Sequence, residues 1–525
     1  MRPGLCRGRT GYARALCMGL NDAVTSALIA LLRDDLFAAP FTSAAIDALW
    51  NADASAALRR GHREPALRSA HRVGDVGTLA TLFVLGVPVA AAELETALPS
   101  LGVDGAVELG LVERRGGLLA PLLDLRPHGF VDELGPGSWW IASDLGEAAL
   151  GTAIPATHVL GVGGASVTLS GLMIGERVQS VLDLGTGCGI QALHAARHAK
   201  RVVATDISQR ALDLAAFNAV LNGVDSIEFR LGSLFEPVAG ESFDQIVSNP
   251  PFVITPRSEG VPEYEYRDGG LVGDAIVSSV IAGAAAHLEP GGVAQLLGNW
   301  EYRDGVDAFE RVGAWLDGTG LDAWIVEREV QPAALYAETW IRDGGILPRT
   351  AEFDRLYTAW LDDFAARGVD RIGFGYVTLR RPQSGAPTLR RLERLDGALG
   401  HNATGLGGHL AATLAAHDWQ QRLNDAELSL ATVSVAGDVT EERHYWPGDE
   451  HPTVMDLRQG GGFGRTFPLG TALAAVVGAC DGELGIGSIC SAVAQLLEVD
   501  EGELLAEVLP GIRELLVTGF LQPGE

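Results

Sequence analysis

The run Val181-Leu-Asp-Leu-Gly-Thr-Gly-Cys-Gly189 constrains this chain more than any other segment. A short apolar stretch reaches Asp183 and then passes into Gly185, Gly187 and Gly189, with an apolar, helix-like pattern from Ile190 onward. Glycines so closely spaced suit a tight turn in which a side chain would strain φ or collide with a bound molecule. A buried strand, such a turn and then a helix together make a seat for a nucleotide-like cofactor, because the helix N-terminus favours a carboxylate or phosphate beside it. The segment therefore predicts an α/β domain with a cofactor at the C-terminal end of a strand.

Strand and helix patterns alternate through residues 155–383. Val181–Leu184, Val202–Thr205, Ile227–Arg230, Gln245–Val247 and Val293–Leu297 read as strands, and Gln191–Ala199, Arg210–Asn222 and Asp274–His287 as helices. The alternation predicts a parallel, doubly wound sheet. Segments 322–331 and 371–381 are expected as late strands, with 332–366 between them an insertion that is helical in its second half.

Residues 21–154 read as a mainly helical domain. Leu28, Leu31, Leu32 and Leu36 recur at helical spacing, and Thr42 or Ser43 is placed to cap a helix carrying Ile46, Leu49 and Trp50. Apolar runs on either side of Gly116-Gly117 predict a hairpin, and helices followed by a hairpin suggest a winged-helix-like module. Residues 384–400 read as a linker with a small basic patch at Arg390, Arg391 and Arg394. Residues 401–525 read as a second winged-helix-like unit. Gly460–Gly462 mark a turn in it, and Ile512–Gln522 a closing helix. Residues 1–20 are expected to be a disordered extension, with Met1 or Met18 as the start.

The chain has 525 residues, enough for roughly two to four domains. Its formal net charge of −28 argues against broad phosphate attraction and favours a protein-contact or architectural role for the flanking modules. Cys6, Cys17, Cys188, Cys480 and Cys490 form no CxxC pair, which points to a reduced, cytoplasmic compartment. No apolar run approaches the ~20 residues of a membrane span, and no signal-peptide core precedes the first domain.

The chemistry rests on two further features. About twenty residues beyond the glycines, Asp206 ends the second strand, where an acid can accept hydrogen bonds from ribose hydroxyls. After the fourth strand comes Asn249-Pro-Pro-Phe252. A planar amide or exocyclic amine is a weak nucleophile, because its lone pair is delocalised. The Asn249 side-chain oxygen and the Pro250 carbonyl can accept its N–H bonds and turn the lone pair toward an electrophile. Pro250 and Pro251 stiffen the loop and remove competing donors, and Phe252 can stack on a planar group. With the GTGCG turn, this loop points to methyl transfer from S-adenosylmethionine to a nitrogen. The expected cofactor contacts are Asp183, Gly185, Thr186, Gly187, Gly189, Asp206, Ile207, Ser233, Leu234 and Asn249. The Gly-rich segment Gly161–Thr168 is expected to cover the methionine end.

On these motifs, residues 181–252 resemble the class I S-adenosylmethionine-dependent methyltransferases of the "methyltransferase small" group. The resemblance implies a Rossmann-like domain, flanked here by N- and C-terminal winged-helix-like modules. It also implies that Asp183, Gly185, Gly187, Asp206 and Ser233 line the cofactor site, although the group's usual residue at position 233 is aspartate. Asn249-Pro-Pro-Phe-Val-Ile-Thr-Pro256 and Tyr266-Arg-Asp-Gly-Gly-Leu-Val-Gly273 resemble the HemK group of protein glutamine N5-methyltransferases, particularly its eukaryotic-type branch. That branch modifies a release-factor glutamine and works with a small partner subunit. The resemblance covers roughly residues 155–300 and implies a glutamine amide acceptor. The alternatives are an exocyclic-amine nucleobase methyltransferase acting on rRNA, tRNA or DNA, with structured RNA as partner, and a non-catalytic cofactor-binding protein that recruits partners.

Other signals carry less. His444, Asp449, Glu450 and His451 read as a solvent-facing loop, and no metal is expected. Cys188 reads as a packing residue rather than a nucleophile, and His158 as structural or solvent-facing, with substrate contact as the alternative. Tyr264 and Tyr266 are placed for either a substrate wall or lid packing.

Overall fold

The computed structural model describes residues 23–70, 74–150, 154–258, 260, 261 and 265–524. The expected extension over 1–20 lies outside the described residues. The chain divides into two compact units, one comprising the residues up to 170 with 176–393, the other 171–175 with 394–525.

The first unit is built on an eight-stranded sheet. Its strands are β1 (Val178–Leu184), β2 (Ala199–Asp206), β3 (Ile227–Leu231), β4 (Phe243–Ser248), β5 (Leu288–Arg303), β6 (Asp322–Pro332), β7 (Val369–Arg380) and β8 (Arg390–Arg394), in the order β8-β6-β7-β5-β4-β1-β2-β3. The helices that matter for the site are α1 (Ile190–Ala195), α2 (Gln209–Leu221), α3 (Glu265–Asp268), α4 (Ala275–His287), α5 (Ala333–Asp343) and α6 (Ala351–Ala366). Strands β3, β2, β1, β4 and β5 are parallel. Their centres are uninterrupted apolar runs because both faces are covered: Val181, Leu182, Val202, Val203, Ala204 and Val247 have no exposure. Chain order reverses between β1 and β4, so a crevice opens there at the carboxyl ends of the strands.

Four expectations are corrected within this unit. The sheet is not wholly parallel, because β7 runs antiparallel between β5 and β6, pairing Val293 with Arg380 and Asp322 with the same residue. An apolar run carries no direction, so pattern alone does not reveal this. The helix expected over Gln191–Ala199 stops at Ala195, because Ala199 already pairs with Val178 in the sheet. The 332–366 insertion is helical in both halves. Residues Arg390–Arg394, inside the segment read as a linker, form edge strand β8.

Before the sheet, Thr42 caps the helix Ser43–Leu49 by accepting from Ala45 N at 3.1 Å. Two helices, Ala91–Ala97 and Gly102–Glu108, precede the hairpin Val112–Arg115/Leu118–Pro121, whose turn residues Gly116 and Gly117 both have positive φ. That geometry suits a two-residue turn between twisted strands. The following ribbon was not legible in advance. Leu123–Asp132 pairs along its whole length with Gly135–Asp144. Asn218 on α2 and Asn222, the residue that caps its C-terminus, fasten it. Asn218 Oδ1 accepts from Ala142 N at 2.8 Å and its Nδ2 donates to Ala142 O at 2.9 Å. Asn222 bonds Trp140 N and O in the same way, at 2.9 and 2.8 Å.

In the second unit, Thr432–Val435 lies between Asp481–Gly485 and Leu521–Pro523 in a three-stranded sheet. Helices Ile486–Leu497 and Glu501–Val517 pack around Cys490, Ile512, Leu515 and Leu516. The closing helix therefore ends at Val517, and Leu521–Pro523 is a strand rather than its last turn. His444 ends a strand of a second small sheet, and Asp449, Glu450 and His451 are exposed in the loop after it.

Candidate active site

The crevice at β1 and β4 holds a cavity of about 520 Å³. That lies inside the ~300–1,000 Å³ range of sites that enclose a cofactor or small ligand.

One side of it is the glycine turn. Gly185 (φ 79°) and Gly187 (φ 55°) take left-handed backbone, and a Cβ on either would meet nothing within 4 Å. The turn is thus a cradle with open space above its backbone. Gly189 serves packing instead: a Cβ there would come within 2.9 Å of Ala215 Cβ on α2. Asp183 sits beneath the turn, fully buried, and accepts from the Thr186 hydroxyl at 2.6 Å. Burial pushes its pKa up to about 7, against the opposing hydrogen bonds from Thr186 and the Ala192 backbone. Asp206 accepts from Gly187 N at 3.0 Å and Ser208 N at 2.8 Å, so it ties the turn to the end of β2. Burial raises its pKa as well, despite those N–H donors. Ile207, Ser233 and Leu234 line the same side. Cys188 is buried and its thiol is pushed up to about 11 by desolvation, which leaves no thiolate for nucleophilic work.

The other side is the loop after β4. Ser248 Oγ donates to Leu184 O at 2.8 Å and locks the two strand ends together. Asn249, Pro250, Pro251 and Phe252 line the cavity. The Asn249 Oδ1 is buried with no hydrogen-bond partner among the described residues, and a buried acceptor left so costs about 1–3 kcal/mol. Phe252 packs against Phe374 with ring centroids 5.4 Å apart. The loop is held from three directions. Val253 N donates to Arg267 O at 2.8 Å, Ile254 N to the Tyr336 hydroxyl at 3.0 Å, and Thr255 Oγ1 to Asp268 Oδ1 at 2.8 Å. Gly269 (φ 57°) lies where a Cβ would be 3.1 Å from Pro251 O, which explains the glycine in Arg267-Asp-Gly-Gly270.

The structure thus brings Gly185, Thr186, Gly187, Asp206, Ile207, Ser233, Leu234 and Asn249–Phe252 to one cavity, with Asp183 and Gly189 just behind its wall. Residues 161 and 163–166 of the Gly-rich segment also line it, as does His158. That stretch is anchored by Asp144 at the end of the ribbon, which accepts from Val159 N at 2.9 Å and from Arg210 Nε at 2.9 Å. Desolvation lowers the His158 pKa and favours its neutral form. Position 264 and the side chain of Tyr266 lie outside the described residues.

Sequence reasoning missed several participants. Gln191 lines the cavity, donates to Ser166 O at 2.7 Å and keeps a buried Oε1 that has no hydrogen-bond partner among the described residues. Arg267, Trp340 and Asp343 also line it. The one available signal for α5 was Ala333, Tyr336, Ala337 and Ile341, buried at helical spacing but read as a plain insertion.

S-adenosylmethionine fits this donor set: an open glycine cradle, a half-buried acid at the second strand end, and an amide oxygen without a partner among the described residues on a residue that lines the same space.

Residues 163–304 match the family described as the methyltransferase small domain, and residues 38–122 match a domain of unknown function (DUF7059). A release factor glutamine methyltransferase of Xylella fastidiosa is 42% identical over 130 residues, 23% of this chain and 47% of the relative. A ribosomal protein uL3 glutamine methyltransferase of Bradyrhizobium diazoefficiens is 37% identical over 125 residues, 22% of this chain and 39% of the relative. A Methanocaldococcus jannaschii protein bearing the name protein N5-glutamine methyltransferase is 36% identical over 135 residues, 25% of this chain and 68% of the relative. The chain spans about half the length of the Xylella relative.

Proposed function

Because the chain belongs to the S-adenosylmethionine-dependent methyltransferases with a methyltransferase small domain, we propose that it methylates the side-chain amide nitrogen of a protein glutamine. The observation that carries this reading is the buried Asn249 Oδ1, without a hydrogen-bond partner among the described residues, on a proline-stiffened loop that lines the same cavity as the glycine cradle.

Bound S-adenosylmethionine supplies an activated methyl group on a positively charged sulfur. The chain's own residues do the rest. The backbone of the Gly185–Gly187 turn admits the cofactor closely, and Asp206 accepts from its ribose. Asn249 Oδ1 and the Pro250 carbonyl accept the two N–H bonds of the acceptor amide. This draws electron density onto its nitrogen and fixes the lone pair toward the methyl group. Neither Pro250 nor Pro251 has an N–H to compete. Phe252 excludes water and packs against the amide plane. Placement and electrostatics supply the acceleration, and the nitrogen's proton leaves to solvent after transfer.

The acceptor is a protein on this reading, and a release factor is the finer proposal, drawn from the names of the relatives. A small partner subunit belongs to the same finer proposal. No helix among the described residues is long and apolar enough to cross a membrane, and we place the protein in the cytoplasm. Arg390 is engaged by Asp317 at 2.9 Å and Arg391 by Glu393 at 3.0 Å, which weakens the case for that patch as an RNA contact. The test is incubation with methyl-labelled S-adenosylmethionine and a lysate of cells lacking the protein, followed by protease or nuclease. Label released by protease and recovered as N5-methylglutamine supports the reading. Label released by nuclease overturns it in favour of a nucleobase acceptor.

A further inference from the structure

Helix α5 presents Tyr336, Trp340 and Asp343 at intervals of four and three, hence along one face. Tyr336 anchors the Asn249–Phe252 loop through Ile254 N, and Trp340 and Asp343 line the cavity. Phe252, Arg267 and Leu271 line the same cavity, and Arg267 touches both Trp340 and Asp343. The face therefore borders the acceptor's end of the cavity.

Asp343 is the loosely held member. Its side chain is half exposed, at 49%, and its one ion partner among the described residues is Arg267, 3.5 Å away. Charge-assisted N–H···O bonds are normally ~2.7–2.9 Å. Arg267 is committed more closely elsewhere, donating to Trp340 O at 2.9 Å while its Nε meets Asp268 Oδ1 at 3.3 Å. An ionised carboxylate offers about four acceptor positions, so Asp343 retains capacity for a donor entering the cavity. Trp340 contributes an aromatic wall beside it, braced edge-on by Tyr336 at 5.9 Å.

Resting on the glutamine reading above, we propose that Asp343, set beside Trp340 on α5, selects the acceptor polypeptide by accepting an N–H that flanks the methylated glutamine. That N–H comes either from the main chain next to the glutamine or from a basic neighbouring side chain, and both present the same donor chemistry. Asp343 acts on binding of the acceptor, not on the transfer itself, so its removal raises KM and spares kcat.

The test uses the full chain and synthetic ten-residue peptides with a central glutamine: one flanked by alanines, one the same with its flanking amides N-methylated, one flanked by arginines. For Asp343→Ala, KM rises about tenfold to a hundredfold, the worth of one charge-assisted hydrogen bond. The kcat and the dissociation constant of S-adenosylmethionine stay near wild type, which also reports that the variant is folded. With a main-chain source, the alanine-flanked peptide shows the rise, N-methylation reproduces it in wild type, and Asp343→Asn restores binding. With a basic source, only the arginine-flanked peptide responds and Asp343→Asn does not restore it. A KM unchanged on every peptide, or a cofactor affinity that falls in step with KM, overturns the proposal. Wild-type protein that methylates oligonucleotides and no glutamine peptide overturns the glutamine reading itself. That failure shows before any variant is made and takes the proposal with it.

Discussion

The Tyr336 hydroxyl lies 3.0 Å from the Ile254 backbone nitrogen and accepts its hydrogen, while Asn299 Nδ2 donates to the same oxygen at 2.7 Å. One buried oxygen thus joins three elements: the end of the Asn249–Phe252 loop, β5 and α5. Burial pushes the phenol's pKa upward, so it stays protonated and neutral. Tyr336→Phe leaves two buried donors unpaired, at about 1–3 kcal/mol each. We expect a lowered melting temperature and, well below it, a kcat reduced about tenfold, because a loop loosened by a fraction of an ångström misplaces its acceptors. Cofactor affinity should hold, since Tyr336 does not line the glycine side. A kcat matching wild type would show that the loop keeps its shape without this bond.

Asn249→Ala removes the orphaned acceptor without touching the cradle. Loss of one preorganised polar group of this kind costs on the order of a hundredfold or more in kcat. Calorimetric titration with S-adenosylmethionine should give an affinity close to wild type. Asn249→Asp is the sharper probe, because it keeps an oxygen in place but brings a charge into a buried position, where desolvation penalises it. It should recover little activity at neutral pH and more as the carboxyl is protonated.

What was legible from sequence was local. The glycine turn and the proline loop each satisfy a demand made within a few residues, an open left-handed backbone in one and a missing N–H in the other. The hairpin at Gly116-Gly117 was legible for the same reason. The ribbon over 123–144 was not, because Pro127, Gly129, Pro136 and Gly137 argue against strands and its support comes from Asn218 and Asn222, far along the chain. Tyr336 was hidden likewise: its partners, at positions 254 and 299, belong to other elements. Asp343 and Arg267 meet only because α3 and α5 converge on the same loop.

Gly185 separates cradle from strain. Its φ of 79° penalises any side chain by about 1–2 kcal/mol, and the space beside it is open. Gly117 has φ of 87° and equally open surroundings, but sits in a hairpin turn away from the cavity. Gly185→Ala and Gly117→Ala should therefore destabilise by similar amounts. Only the first should weaken S-adenosylmethionine binding, by about tenfold or more, equivalent to some 1.4 kcal/mol. Equal affinity in both variants would mean that the cofactor does not approach the turn.

Asp183 makes the pH dependence of stability a test of burial. Its carboxyl, 3.8 in ordinary surroundings, is raised to about 7 in the fold, chiefly by desolvation and further by Asp206. Between those values the native state holds a proton that the unfolded state has released. Stability contributed by this group is then fully present below about 4 and falls as pH rises toward 7, since unfolding becomes favoured wherever the native state binds more protons. The sign is opposite to that of a salt-bridged carboxylate, whose contribution is lost on acidification. Asp183→Asn keeps a polar group near Thr186 and removes the titration, so its denaturation midpoint should change less between pH 5 and 7 than that of wild type. Parallel profiles for the two proteins would place the proton on some other group and leave Asp183 ionised beneath the turn.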